Sequence, residues 1–132
     1  MKREFLILLG ICFLFTPLLV RAIDISDCSD LDTEGGTYYL TADIIDSGVD
    51  TCINISANDV TLSCQGYTID GTDTSDTKGI YVYRDTQTTT NITLSGCILT
   101  DWAIGVETYN ANGNTMDTIT SEFNTQNGIR VQ

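Results

Sequence analysis

The sequence predicts an all-β chain wound into stacked coils of short strands, a solenoid. Three observations predict it. Beyond Ala22 no window combines apolar residues at i, i+3, i+4 and i+7 with helix caps, and Thr, Ile, Val and Tyr dominate. The apolar residues come in bursts that step by two: Val60 and Leu62, Tyr67 and Ile69, Ile80 and Val82, Ile92 and Leu94. Such a step puts each pair on one face of a strand. The bursts also return at a longer interval. Gly79 opens GIYV, Gly105 opens GVET and Gly128 opens GIRV. Self-similarity at roughly 20–30 residues is the signature of a stacked array. In the same way NITL at 91–94 is echoed by DTIT at 117–120, and Leu99 by Phe123.

The elements follow in chain order. Lys2 and Arg3, the apolar run FLILLGICFLFTPLLV (5–20) and the small residue Ala22 read as a secretory signal peptide over residues 1–22. The run is shorter than the ~20 residues that span a bilayer, so the signal is the chain's expected contact with a membrane. Cleavage after Ala22 leaves 23–132, enough for one modest domain. It also removes Lys2, Arg3, Arg21 and Glu4. Three cations, Lys78, Arg84 and Arg130, then face seventeen carboxylates, a net charge of −14. That balance argues against a nucleic-acid partner.

From residue 51 to 132 the strands are bounded by Gly, Asn, Asp or Thr, as turns require. CQGYTID and GIYVY read as strands of one coil, with GTDTSDTK a loop projecting from its corner. Inward positions would form ladders such as Ile80, Val106 and Ile129, each buried by its neighbours. A meander of hairpins is the competing arrangement. Asp70-Gly71, Asn112-Gly113 and Asn127-Gly128 supply the dipeptides it needs.

Four cysteines remain after cleavage: Cys28, Cys52, Cys64 and Cys97. An even count in a small secreted domain reads as two disulfides, with three connectivities open. The chain has no histidine, and no two cysteines show metal-site spacing, which disfavours zinc. A copper site would lack the His or Met ligand set it needs, since Met116 alone remains after cleavage. Asn54, in NIS, and Asn91, in NIT, are glycosylation sequons.

VTLSCQGYTIDGTDTSDTKGIYV (60–82), followed by NITLSGCILTDWAIGV (91–106), resembles the first rungs of right-handed parallel β-helix proteins. Within that group it is most similar to secreted, NosD-like or pectate-lyase-like repeat proteins of archaeal surfaces. The resemblance covers roughly residues 50 to 132. It implies about four coils, and a strand and cap over residues 23–50 that close the first one. It also implies that Cys64 and Cys97, in similar places of successive bursts, stack and pair, and that Cys28 and Cys52 fasten the cap. The chain stops inside the strand GIRVQ, so we expect a C-terminally truncated helix. Further coils or another chain would then cover the last rung.

Chemistry is less plainly written. Asp70, Asp73 and Asp76 form a D-x-x-D-x-x-D series that offers oxygen ligands to calcium, the one cofactor the sequence suggests. The same residues serve equally as caps of a solvated turn. Asp101, Glu107 and Asp117 would share a carbohydrate-binding groove with Trp102 stacked on a sugar, although an aromatic beside a turn more often packs on the next coil. Arg130 in GIRV is similar to the basic motif of pectin-degrading hydrolases, yet their Gly-His-Gly, Asn-Thr-Asp and Asp-Asp elements are missing. No catalytic residue is assigned. The reading is a secreted or cell-surface module, structural or binding a polysaccharide or cell-wall component without turnover. The alternative is the N-terminal part of a polysaccharide lyase or glycoside hydrolase whose groove lies beyond residue 132.

Overall fold

The computed structural model describes residues 22–132. The expected signal peptide lies outside the described residues, apart from Ala22. Among the described residues every strand pairing is parallel, which rules out the hairpin meander. The chain is a parallel β-helix of about four turns built on three sheets.

Sheet I stacks β1 (Ala22–Ile25), β3 (Thr37–Leu40), β5 (Thr61–Ser63), β9 (Thr93–Ser95) and β13 (Thr115–Asp117). Sheet II stacks β6 (Thr68–Asp70), β10 (Ile98–Thr100) and β14 (Thr120–Glu122), and Ile44 adds a bridge beside Ile69. Sheet III stacks β2 (Ser29–Leu31), β4 (Thr51–Ile55), β7 (Lys78–Val82), β11 (Ile104–Thr108) and β15 (Asn127–Val131). A short pair, β8 (Thr89–Thr90) and β12 (Ala111–Asn112), closes two of the coils. Within the segment before residue 51, β1 pairs in parallel with β3, and β2 and β3 pair in parallel with β4 and β5 of the coils that follow.

The register explains the core. Ile53, Ile80, Val106 and Ile129 are direct neighbours in sheet III, and Tyr38, Leu62, Leu94 and Met116 in sheet I. No single coil can bury such a row, whereas stacked coils do: Ile53, Ile80 and Val106 are 0% exposed, while Ile129, expected to be buried in the same ladder, has a neighbouring coil on one side among the described residues and is 44% exposed. Trp102 fills the interior beside sheet II. It is 0% exposed, and its Nε1 donates to the Ile69 carbonyl at 2.9 Å. A Cβ on Gly79 would stand 2.6 Å from Leu99 Cδ2, so only glycine admits this packing.

The corners repeat as well. Gly35, Asp59, Asn91 and Gly113 each stand two residues before a sheet I strand, and all four have φ between 56° and 68°. Gly, Asp and Asn are the residue types that enter this left-handed region at low cost. The corner after sheet II uses Asp46 (φ 52°), Asp101 (57°) and Phe123 (56°) in the same way.

Two expected echoes are corrected. Thr93 and Leu94 pair with Thr115 and Met116, so NITL at 91–94 matches 113–116 rather than DTIT at 117–120. Leu99 stands opposite Ser121, and Phe123 occupies the turn beyond, 73% exposed. The apolar match misled because the fifth coil carries polar residues where earlier coils carry apolar ones. Asn124 accepts from Trp102 N at 3.0 Å, and Ser121 Oγ donates to the Gly128 carbonyl at 2.8 Å.

Candidate functional site

The disulfides join successive coils. Cys28 bonds Cys52, and Cys64 bonds Cys97. Both are compatible with an oxidising, extracellular compartment. A depression of about 280 Å³ opens beside Cys28 and Cys52, lined also by Ser29, Asp30, Val49 and Thr51.

The outer face of sheet III gathers the chemistry. Asp30, Asn54, Tyr81, Glu107 and Arg130 form one outward column, one residue per coil. Glu107 is only 3% exposed. Its Oε1 accepts from Arg130 Nε at 2.7 Å and from Gln132 Nε2 at 2.9 Å. Its Oε2 is buried without a hydrogen-bond partner, and Lys78 Nζ stands 3.7 Å away. A buried carboxylate costs several kcal/mol unless paired, and two cations from the neighbouring coils supply the pairing here.

Three tyrosines adjoin it. Tyr81 and Tyr83 stack with centroids 5.3 Å apart, and Tyr109 meets Tyr83 edge-on at 5.7 Å. Lys78 Nζ stands over the Tyr81 ring, 5.0 Å from its centre. Burial, then the Glu107 charge, raise the Tyr81 phenol above its ordinary value. Tyr83 is raised chiefly by its hydrogen bond to Asp85 Oδ1, 3.1 Å long. Tyr109 is 46% exposed. Lys78 and Arg130, two of the three cations among the described residues, stand on this face, and the third, Arg84, follows β7 and pairs with Glu34. On this face the two cations offset the carboxylate of Glu107 in a strongly acidic chain.

The residues expected to share a groove do not meet. Glu107 lies on sheet III, Asp117 on sheet I, and Asp101 at the corner after sheet II. Trp102 is inside the core, so its ring offers no face to a sugar. Asp70 is bonded to the coils on either side of its own. It accepts from Thr100 Oγ1 at 2.6 Å and from Asp46 N at 3.1 Å. Asp101 is raised by partial burial first, then by Asp73, Asp70 and Asp46. Asp73 and Asp76 are exposed. Among the described residues no group of three His, Cys, Asp or Glu is placed to hold a metal ion. The sequon Asn54 Nδ2 donates to Asp30 Oδ1 at 3.2 Å, and Asn91 Nδ2 to Asp59 Oδ1 at 2.9 Å.

Sequence reading missed Lys78, Tyr81, Tyr83 and Tyr109. A signal was present. Tyr81, Glu107 and Arg130 each stand two residues after the repeating glycines 79, 105 and 128. A shared offset from a repeat marker means a shared column. Comparison of the chain with protein-family models, curated proteins and solved structures finds no match.

Proposed function

We propose that this chain is an extracellular or cell-surface binding module of the NosD-like or pectate-lyase-like type found on archaeal surfaces. It holds a polysaccharide or cell-wall component on the outer face of sheet III, without turnover. The observation that supports this is the contiguous cluster of Tyr81, Tyr83 and Tyr109 beside the Lys78–Glu107–Arg130 ladder. Tyrosine joins an apolar ring to a hydrogen-bonding tip, which suits a sugar's mixed surface. The charged ladder fixes the coils beneath it. Hydrolysis would need a second carboxylate facing Glu107 across a sugar. The other members of its column nearest to it are Tyr81 and Arg130.

Binding of the purified, disulfide-intact protein to soluble and insoluble polysaccharides tests this reading. Tyr109→Ala is expected to weaken retention several-fold while leaving the fold intact. Release of shortened or unsaturated sugars by the wild type would favour the lyase or hydrolase reading instead. Repeating the assay with a calcium chelator tests the calcium expectation for Asp70, Asp73 and Asp76.

A further inference from the structure

Sheet I presents a second, unlike surface. Thr37, Thr61, Thr93 and Thr115 are direct neighbours in successive coils, a continuous column of four threonines pointing outward. Two residues on, Tyr39, Ser63, Ser95 and Asp117 form a parallel column. The side chains between them, Tyr38, Leu62 and Leu94, are buried and hold the strands to the core. With β1 included the two columns hold ten outward positions, and only Asp24 beside Tyr39 and Asp117 beside Ser95, one at each edge, are charged, in a chain with eighteen carboxylates.

Adjacent coils of such a sheet are about 4.8 Å apart, and residues i and i+2 about 6.7 Å apart. The hydroxyls therefore stand on a two-dimensional lattice. Threonine keeps that lattice ordered, because its branched Cβ restricts χ1. In-register ladders of like residues also oppose the twist that would curve the rows.

We propose that this face binds ice. A rigid grid of hydroxyls and methyls, repeating in both directions at intervals comparable to the lattice repeats of an ice plane rather than to the shorter contact between neighbouring waters, holds water in ice-like rows. The absence of charge over coils two to four suits that ligand, since an ionised group orders water around itself in a pattern no ice plane contains. A protein partner is disfavoured, because the centres of such interfaces favour aromatic residues, Met and Arg over Ser. A crystalline polysaccharide is gripped by rows of aromatic rings, and Tyr39 is the single ring on these columns.

The test is ice shaping and thermal hysteresis of the disulfide-intact protein, with Thr93→Lys, Thr93→Val and Tyr109→Ala alongside it. Wild type and Tyr109→Ala are expected to facet ice crystals and depress their growth temperature. Thr93→Lys should lose most of that hysteresis with unchanged thermal unfolding, and Thr93→Val, which keeps the shape and loses one hydroxyl, should fall between. Absence of faceting by the wild type overturns the proposal, as does full activity in Thr93→Lys. Adsorption to crystalline cellulose or chitin that Thr93→Lys abolishes, with no effect on ice, also overturns it. Because the polysaccharide assay reads Tyr109, just beyond β11 of sheet III, either proposal can fail alone.

Discussion

Glu107 on β11 lies directly beside Arg130 on β15, and the guanidinium closes over a carboxylate that is almost wholly buried. The pair ties the fifth coil to the fourth across 23 residues of chain. Arg130→Ala leaves the carboxylate with the more distant Lys78 and the Gln132 amide. We expect a loss of roughly 1–3 kcal/mol. Glu107→Gln keeps an acceptor for Arg130 and should cost less. Urea unfolding of both variants checks the order.

Trp102 is the largest side chain in the core. Replacing it by alanine empties the space beside Gly71 and Gly79 and removes the donor to the Ile69 carbonyl. The expected loss is about 3–5 kcal/mol, measured by denaturant titration. Polysaccharide binding measured under conditions where the variant stays folded should not change, because the ring is not on the surface.

Asp101 carries a folded-state pKa raised by its burial and by Asp73, Asp70 and Asp46. For an acid raised on folding, the native state binds more protons than the unfolded one. Stability then falls as pH rises through that window. Asp101→Asn removes the repulsion and tolerates the same positive φ. The variant should melt higher than wild type near neutrality, and the gap should close as pH drops below about 3, under the usual carboxylate range.

The two disulfides differ in access. Cys64 and Cys97 are fully buried, whereas Cys28 is partly exposed and borders the depression near Val49. Under mild reductant Cys28–Cys52 should open first, by thiol labelling and mass spectrometry. Each bridge is expected to contribute ~2–4 kcal/mol.

Phe123 holds φ 56° where the equivalent corners use Asp46 and Asp101. A bulky residue is strained there. Phe123→Asn should raise stability by about 0.5–1 kcal/mol, read as a shift in the unfolding midpoint.

The architecture was legible because burial repeats: a row that must be apolar in every coil writes its period into the sequence. The spacing of Gly79, Gly105 and Gly128 therefore matches the pairing of sheet III. The register of sheets I and II in the fifth coil was not legible, since Asn124 and Ser121 replaced apolar residues and Phe123 drew the match outward. The site fared worse. Burial of Trp102 depends on which corner each strand leaves from, and loops of unequal length hide that, whereas the column that joins Glu107 and Arg130 was written in their shared offset from Gly105 and Gly128. The coil from Thr61 to Thr93 is much longer than the next, from Thr93 to Thr115.

Parallel stacking also sets the order of assembly. Among the described residues no strand pairs with its immediate successor, so no hairpin nucleates folding, and each strand must wait for a whole turn to close. The shortest closure is the first, where Ile23 meets Tyr38. The stretch that separates Thr61 from Thr93 is about twice as long. Loop closure costs about 0.6 kcal/mol more for each doubling of span, which favours the first turn as the nucleus. We expect the coils to wind onto it in chain order, each finished edge serving as the template for the next.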